Sequence, residues 1–164
     1  TPEAWHVLRG LSMNVLNIHQ RRVLRPIPEV FREIAALGTA DDLIWPEPTM
    51  PFQRTDGPMN VGVTQERHGR IEALLDAYED NKRIVWRTRV PFLQGTHSFE
   101  VQDGGDGTTL VRHVIRAHLA WWFVPVWWLY VRHVHDRILE GLLDRLADSA
   151  GLAERPGSSV PPAW

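Results

Sequence analysis

Two histidines, His97 and His113, sit on strand-like segments whose alternation turns both toward the apolar side. In Thr108–Leu119 the odd positions Val111, Ile115, Ala117 and Leu119 are apolar, the even ones include Arg112, Arg116 and His118, and His113 shares the apolar parity. In Thr96–Asp103, Phe99 and Val101 choose the inner face and His97 goes with them. A turn centred on Gly105 places His97 opposite His113 and Phe99 opposite Val111. Sliding that register by two residues keeps both imidazoles on one face, no longer opposite. Burial disfavours the imidazolium, so each ring is left neutral, able to donate one proton and accept another. Such rings suit general acid–base work on a ketone or enol, and equally the anchoring of a ligand's hydroxyl or carbonyl. The plainer alternative is that each satisfies a backbone carbonyl or a tyrosine.

The second concentration of chemistry is aromatic. Leu119–Val131 holds four of the eight tryptophans (Trp121, Trp122, Trp127 and Trp128) and is interrupted by Pro125. A bilayer-spanning helix needs about 20 apolar residues, so this run is too short to cross one. It opens a helix expected from about Phe123 to Ala150, with Trp127, Val131, Val134, Ile138 and Leu142 in one stripe and Leu139 and Leu146 beside it. Arg132, His133, Asp136, Arg137, Glu140 and Asp144 fall mostly on the other side. The aromatic half reads as the roof of a ligand cavity; a Trp-rich core without a cavity is the competing expectation. His133 and His135 are two apart, roughly 200° around a helix, and cannot share one metal. Neither they nor the strand histidines show His-x-x-x-His or Glu-x-x-His spacing, so no metal site and no cofactor are expected. Nucleophile-elbow, P-loop and dinucleotide glycine motifs are missing, and the Asp103–Gly107 glycines read as a hairpin turn.

Composition narrows the remaining classes. The 164 residues suit one domain, and the 18 basic and 20 acidic residues are interspersed, which leaves no electrostatic footprint for nucleic acid. Without cysteine there are no disulfides and no thiolate chemistry. No basic segment followed by an apolar run opens the sequence, so a cytoplasmic protein without a secretion signal is the expectation. Residue 1 is not methionine, and Met13 would be a plausible start, which makes 1–13 an N-terminal extension. The Pro/Gly/Ser-rich stretch 151–164 reads as a flexible tail.

These residues must be positioned by the elements between them. Asn14–Leu24 reads as a strand ended by Pro26 and Pro28. Pro28 fits the first turn of a helix carrying Val30, Phe31, Ile34 and Leu37, and Gly38 closes it. Thr39 is placed to cap a second short helix ending near Trp45-Pro46. From about Met50 the period becomes two: Met50–Arg54, Asn60–His68, Arg70–Tyr78, Arg83–Val90, Thr96–Asp103 and Thr108–Leu119, joined by Gly- and Asx-rich turns. Short connections imply an antiparallel meander. Ile71, Ala73, Leu75 and Ala77 are expected on the face of Ile84, Trp86, Thr88 and Val90. Glu72 and Asp76 then lie outside with Arg83, Arg87 and Arg89, most simply as a solvated surface.

Taken in order, Arg25-Pro-Ile-Pro-Glu-Val-Phe-Arg-Glu-Ile34, Leu43-Ile-Trp45, Lys82-Arg-Ile-Val-Trp-Arg87, Gly95-Thr-His-Ser-Phe-Glu-Val101, Gly107-Thr-Thr-Leu-Val-Arg-His113 and the terminal helix resemble the START-like, or helix-grip, superfamily. That superfamily includes polyketide cyclase/dehydrase-like proteins and the birch pollen allergen family. The resemblance spans roughly residues 14 to 150. It implies an α+β helix-grip fold: a seven-stranded antiparallel sheet curved around a long C-terminal helix, with two short helices between strands 1 and 2. The scaffold hosts carriers, sensors and enzymes, so it speaks for fold more than for activity. The first functional expectation is binding of a hydrophobic, aromatic or polycyclic small molecule, or a lipid, between sheet and helix. Its candidate contacts are Trp86, Thr88, Phe99, Val111, Ile115, Trp122, Trp127 and Val131. The second is a polyketide cyclase-type enzyme, a reaction class the resemblance supplies, with His97 and His113 assisting aldol condensation or dehydration. The third is a docking or homodimerising surface built on Trp121, Trp122 or Trp128.

Overall fold

The computed structural model describes residues 12–153. Most of the expected extension over 1–13 and tail over 151–164 lies outside them, although Ser12 and Met13 belong to the first strand and residues 151–153 to the last helix. The strands are β1 (Ser12–Val23), β2 (Phe52–Arg54), β3 (Gln65–His68), β4 (Ile71–Glu79), β5 (Arg83–Thr88), β6 (Leu93–Gly105) and β7 (Thr108–Ala120). They form one seven-stranded sheet in the order β1-β7-β6-β5-β4-β3-β2. Every pairing is antiparallel, as the short connections require. β1 pairs with β7 along its whole length, Ser12 opposite Ala120 and Val23 opposite Thr109.

Helix α1 (Ile27–Ala35) starts where the prolines allow, with Pro28 in its first turn, and buries Val30, Phe31 and Ile34. The second helix expected from Thr39 does not form, and residues 36–41 are turn and bend. The reason is local. The Asp42 carboxylate accepts from the amides of Gly38, Ile44 and Trp45, giving this segment its hydrogen bonds without a helical ladder.

The C-terminal helix also departs from expectation. Trp121–Phe123 is a 3₁₀ turn, Val124–Val126 a single α turn and Trp127–Val131 a π turn; the regular helix, α2, runs over Arg132–Ala153. The sequence expectation of a regular helix from about Phe123 is corrected by the widened π turn, which delays it to Arg132. Such turns are found frequently at functional sites, and this one lies over a cavity of about 570 Å³.

Two strand registers differ from the simplest reading. The β6–β7 hairpin turns on Asp106-Gly107, both at positive φ (53° and 74°), with an irregularity between Asp103 and Gly105. The whole register is thereby slid by two residues from the Gly105-centred one: Phe99 faces His113, His97 faces Ile115, and Val101 faces Val111. In β4 a bulge between Leu75 and Ala77 moves Tyr78, not Ala77, opposite Ile84. Asp76 remains outside and grips Arg87 with two hydrogen bonds of 2.9 and 2.8 Å.

Packing divides into two apolar clusters. One joins α1, the middle strands and the inner stripe of α2 (Ile138, Leu139, Leu142, Leu143 and Leu146). The other gathers Val15, Leu93, Ile115, Ala117, Leu119 and Trp127 at the opposite end. Arg25 ties the closed end together. Its guanidinium meets both Glu33 oxygens at 2.5 and 3.0 Å and reaches the Leu146 carbonyl at 2.7 Å.

Candidate functional site

Between the two clusters the sheet and the last helix do not close on each other. They leave a cavity of about 570 Å³ lined by residues of both, a size typical of small-molecule sites. Its apolar wall includes Phe52, Ile71, Leu93, Phe99, Ile115, Ala117, Val134, Ile138 and Leu142, and Trp127 with Val131 forms the roof. At the mouth stand Trp122, Val126 and Tyr130, which line the cavity and are also exposed to solvent.

Most of the sequence-derived candidates line this space: Thr88, Phe99, Ile115, Trp122, Trp127, Val131, His97 and His113. Two do not. Trp86 and Val111 belong to the close-packed cluster, and around Trp86 the residual gap is only about 10 Å³. Trp86 pairs with Leu75 and His97 across the sheet, but lies too far toward α1 to reach the cavity. Phe99 borders both regions. Phe99→Ala is therefore expected to cost about 2–3 kcal/mol, below the ~3–5 kcal/mol of a fully packed phenylalanine. Urea unfolding of the variant at neutral pH measures it; a loss well above that range would mean the cavity wall is closed around that ring.

Beside the cavity, from the sheet across to α2 and back to β1, runs a chain of imidazoles that sequence parity shows only in part. Ring centroids stand 6.0 Å apart for His68–His97, 5.7 Å for His97–His113, 5.3 Å for His113–His135 and 5.9 Å for His135–His19. At one end His97 Nε2 meets the Glu66 carboxylate at 2.5 Å, and Glu66 is itself buried. At the other end His19 meets Asp136 at 3.0 Å and Glu140 at 2.6 Å. Burial disfavours charge along much of the chain. Loss of solvent pushes His68 down to about 4 and His135 to about 3, and drives His113 well below the usual imidazole range, with neighbouring histidines adding to the effect on His113. Unmet hydrogen-bonding capacity accompanies this. Nδ1 of His68, His113 and His135 and Oε2 of Glu66 are buried without a partner among the described residues. Buried polar atoms are nearly always paired, so unpaired ones around a cavity call for a ligand or water.

Glu66, His68, His135 and His19 escape the sequence reading for physical reasons. β3 reads Gln-Glu-Arg-His, polar on both faces, so alternation names no inner side; yet Glu66 is 2% exposed. On β1 the inward row is Asn17, His19 and Arg21, which pairs with Asp136, Glu140 and Asp144 of α2. Helical spacing puts those acids mostly on the solvent side, and Glu140 and Asp144 are indeed exposed; what the spacing does not show is that their carboxylates, with the half-buried Asp136, turn to β1. A signal is present: polar residues two apart on a strand and acids four apart on a helix have similar rise, about 6–7 Å, so the two rows can mate.

No family model and no curated protein sequence matches the chain. Solved structures do match. A protein from Thermobifida fusca, 15% identical, superposes with a TM-score of 0.65 over 85% of this chain and 95% of that one. A norcoclaurine synthase point mutant from Thalictrum flavum, in complex with a transition-state analogue, is 10% identical with a TM-score of 0.65, over 88% of this chain and 99% of that one. The Aha1 dimer from Colwellia psychrerythraea is 16% identical with a TM-score of 0.57, over 86% and 99%. These neighbours share the helix-grip, birch-allergen-like fold, and at such identities the likeness establishes architecture alone. Among the described residues no helix is long and apolar enough to cross a membrane.

Proposed function

We propose that this chain binds a hydrophobic small molecule, aromatic or polycyclic in shape, in the cavity between sheet and terminal helix. The observation that carries the reading is the combination of about 570 Å³ of mostly apolar space with buried, unpartnered imidazole nitrogens along one side. The apolar wall supplies affinity, and a few directional groups fix orientation. A planar ligand with one or two oxygen atoms suits it: rings between Phe52, Phe99 and Trp127, oxygens toward His97, His113 and His68.

A second reading is catalytic. The Glu66–His97 pair resembles the arrangement in which a carboxylate orients an imidazole so that the ring can take or give a proton. That would suit aldol condensation or dehydration of a keto substrate, the polyketide cyclase-type chemistry, with His113 as the second proton-handling group. The Thalictrum neighbour, a synthase with a bound transition-state analogue, supports the capacity of this scaffold for catalysis. The exposed Trp121, Trp122 and Trp128 (51%, 53% and 46% exposed) form the surface on which a homodimer or docking partner would sit.

The test is mass spectrometry of molecules co-purifying with the native protein, followed by titration of those molecules against tryptophan fluorescence. Binding in the low-micromolar range that weakens at least ~10-fold in Trp127→Leu supports the cavity reading, since Trp127 is the buried aromatic of the roof; about 1.4 kcal/mol corresponds to that factor. No co-purifying molecule, together with no response to a panel of planar aromatics, defeats it. The double variant His97→Gln/His113→Gln separates the two readings: a carrier keeps micromolar binding, whereas an enzyme loses turnover by ~10²-fold or more.

A further inference from the structure

At the far end of the imidazole chain, β1 and the start of α2 bring His19, His135 and Asp136 together, with one ligating atom of each within 4.8 Å of the others. The sequence offers no metal site, because His133 and His135 diverge on the helix. The packing of β1 against α2 supplies a histidine from elsewhere. His19 Nε2 lies 3.0 Å from Asp136 Oδ1, and His135 Nδ1 lies 3.7 Å from the same oxygen. Ligands bonded at ~2.0–2.1 Å to a tetrahedral ion stand about 3.3–3.4 Å apart, so the two observed spacings bracket that value.

We propose that His19, His135 and Asp136 form a binding site for one divalent first-row transition ion of the zinc type. Three independent features point the same way. His135 Nδ1 is buried, faces this cluster, and has no hydrogen-bond partner among the described residues. Both nitrogens of His19 face carboxylate oxygens, Nδ1 to Glu140 at 2.6 Å and Nε2 to Asp136 at 3.0 Å, so the ring is aimed into the cluster and held from behind. With a cation on Nε2, the Nδ1–H donates to Glu140, the outer carboxylate that fixes the ring's tautomer. The outer layer is already in place: Arg21 holds Glu140 at 2.7 Å, and Asn17 Nδ2 donates to Asp136 at 2.9 Å.

The donor set also selects the ion. Two imidazoles and one carboxylate suit zinc, cobalt, nickel or iron rather than magnesium or calcium, which favour all-oxygen sets. Three protein ligands leave coordination positions for water, and the partly exposed Asp136 side chain (31%) gives water access. The His135 ring also lines the cavity, so the two sites share that side chain, while a zinc titration reads the metal site alone.

The experiment is a competition titration of the untagged protein with zinc against a chromophoric chelator at neutral pH, followed by cobalt absorption spectroscopy. One zinc per chain at micromolar affinity or tighter is expected. His19→Ala and His135→Gln should each weaken it by at least ~100-fold, Glu140→Gln by ~10–100-fold as an outer-layer change, and the exposed neighbour His133→Gln should leave it unaltered. Circular dichroism of each variant checks folding. If the variants fail to fold, the wild-type cobalt spectrum decides: visible bands of four- or five-coordinate cobalt support the site, and a spectrum like aqueous cobalt overturns it. Absence of stoichiometric zinc binding, or an equal loss in His133→Gln, overturns it too.

Discussion

Gly95→Ala should lower the unfolding free energy by about 3–5 kcal/mol, among the largest effects available from a single methyl group. Gly95 lies in β6 opposite Ala117 of β7. A Cβ built on it would stand 2.1 Å from the Arg116 carbonyl oxygen and 2.5 Å from the Ala117 Cα. Both obstacles are backbone, so no rotamer change relieves them and the strands themselves must part. The close approach has a structural purpose. Here β6 also exchanges hydrogen bonds with Thr88, whose hydroxyl donates to the Leu93 carbonyl at 2.7 Å and accepts from the Gly95 amide at 3.1 Å. Thr88 and Ala117 both line the cavity, so the crossing sets part of its wall. Thermal unfolding should show a midpoint lower by roughly 10 °C. A midpoint indistinguishable from wild type would mean that β6 and β7 are not in this close register.

How far the sequence specifies this architecture legibly depends on where side-chain alternation is informative. β6 and β7 carry strong apolar parity, so the inward placement of His97, Phe99, His113 and Ile115 follows from alternation alone. The relative register of the hairpin does not, because Gly104, Gly105 and Gly107 admit more than one turn; the chain chooses Asp106-Gly107 and slides the pairing by two residues. β3 and β1 are opaque for a different reason. Their inner faces carry Glu66, His68, Asn17, His19 and Arg21, of which Glu66, Asn17, His19 and Arg21 are paired with groups distant in sequence. Local hydropathy cannot anticipate a buried polar group whose partner lies 31 or 117 residues away. The same reasoning accounts for Trp86: its parity correctly indicates inward, but parity does not say whether inward means cavity or core.

Between a pH of about 7.5 and one of about 4.5, the stability difference between wild type and His68→Phe should change by about 2–3 kcal/mol in favour of the variant. His68 is stacked on Phe52 at 5.3 Å with an interplanar angle of 9°, and burial pushes it down to about 4. In the unfolded chain a histidine titrates near 6.5, so the folded state resists protonation. Above that value both states are neutral and His68 contributes nothing to the pH dependence. As pH falls from 6.5 toward about 4, the unfolded chain takes up a proton that the folded chain refuses, and stability declines; below about 4 both are protonated and the decline stops. The window from 6.5 down to the lower pH spans about two units, and at about 1.36 kcal/mol each that gives the magnitude. The titratable neighbours oppose one another: Glu66, 3.9 Å from Nδ1 on the same strand, favours the imidazolium, while His97 on β6 disfavours it. Desolvation outweighs both. Phenylalanine preserves the stack on Phe52 and cannot titrate, so urea unfolding of both proteins at the two pH values isolates this one group. An unchanged difference between them would mean that His68 is solvated in the folded state, and the buried imidazole row beside the cavity would lose its first member.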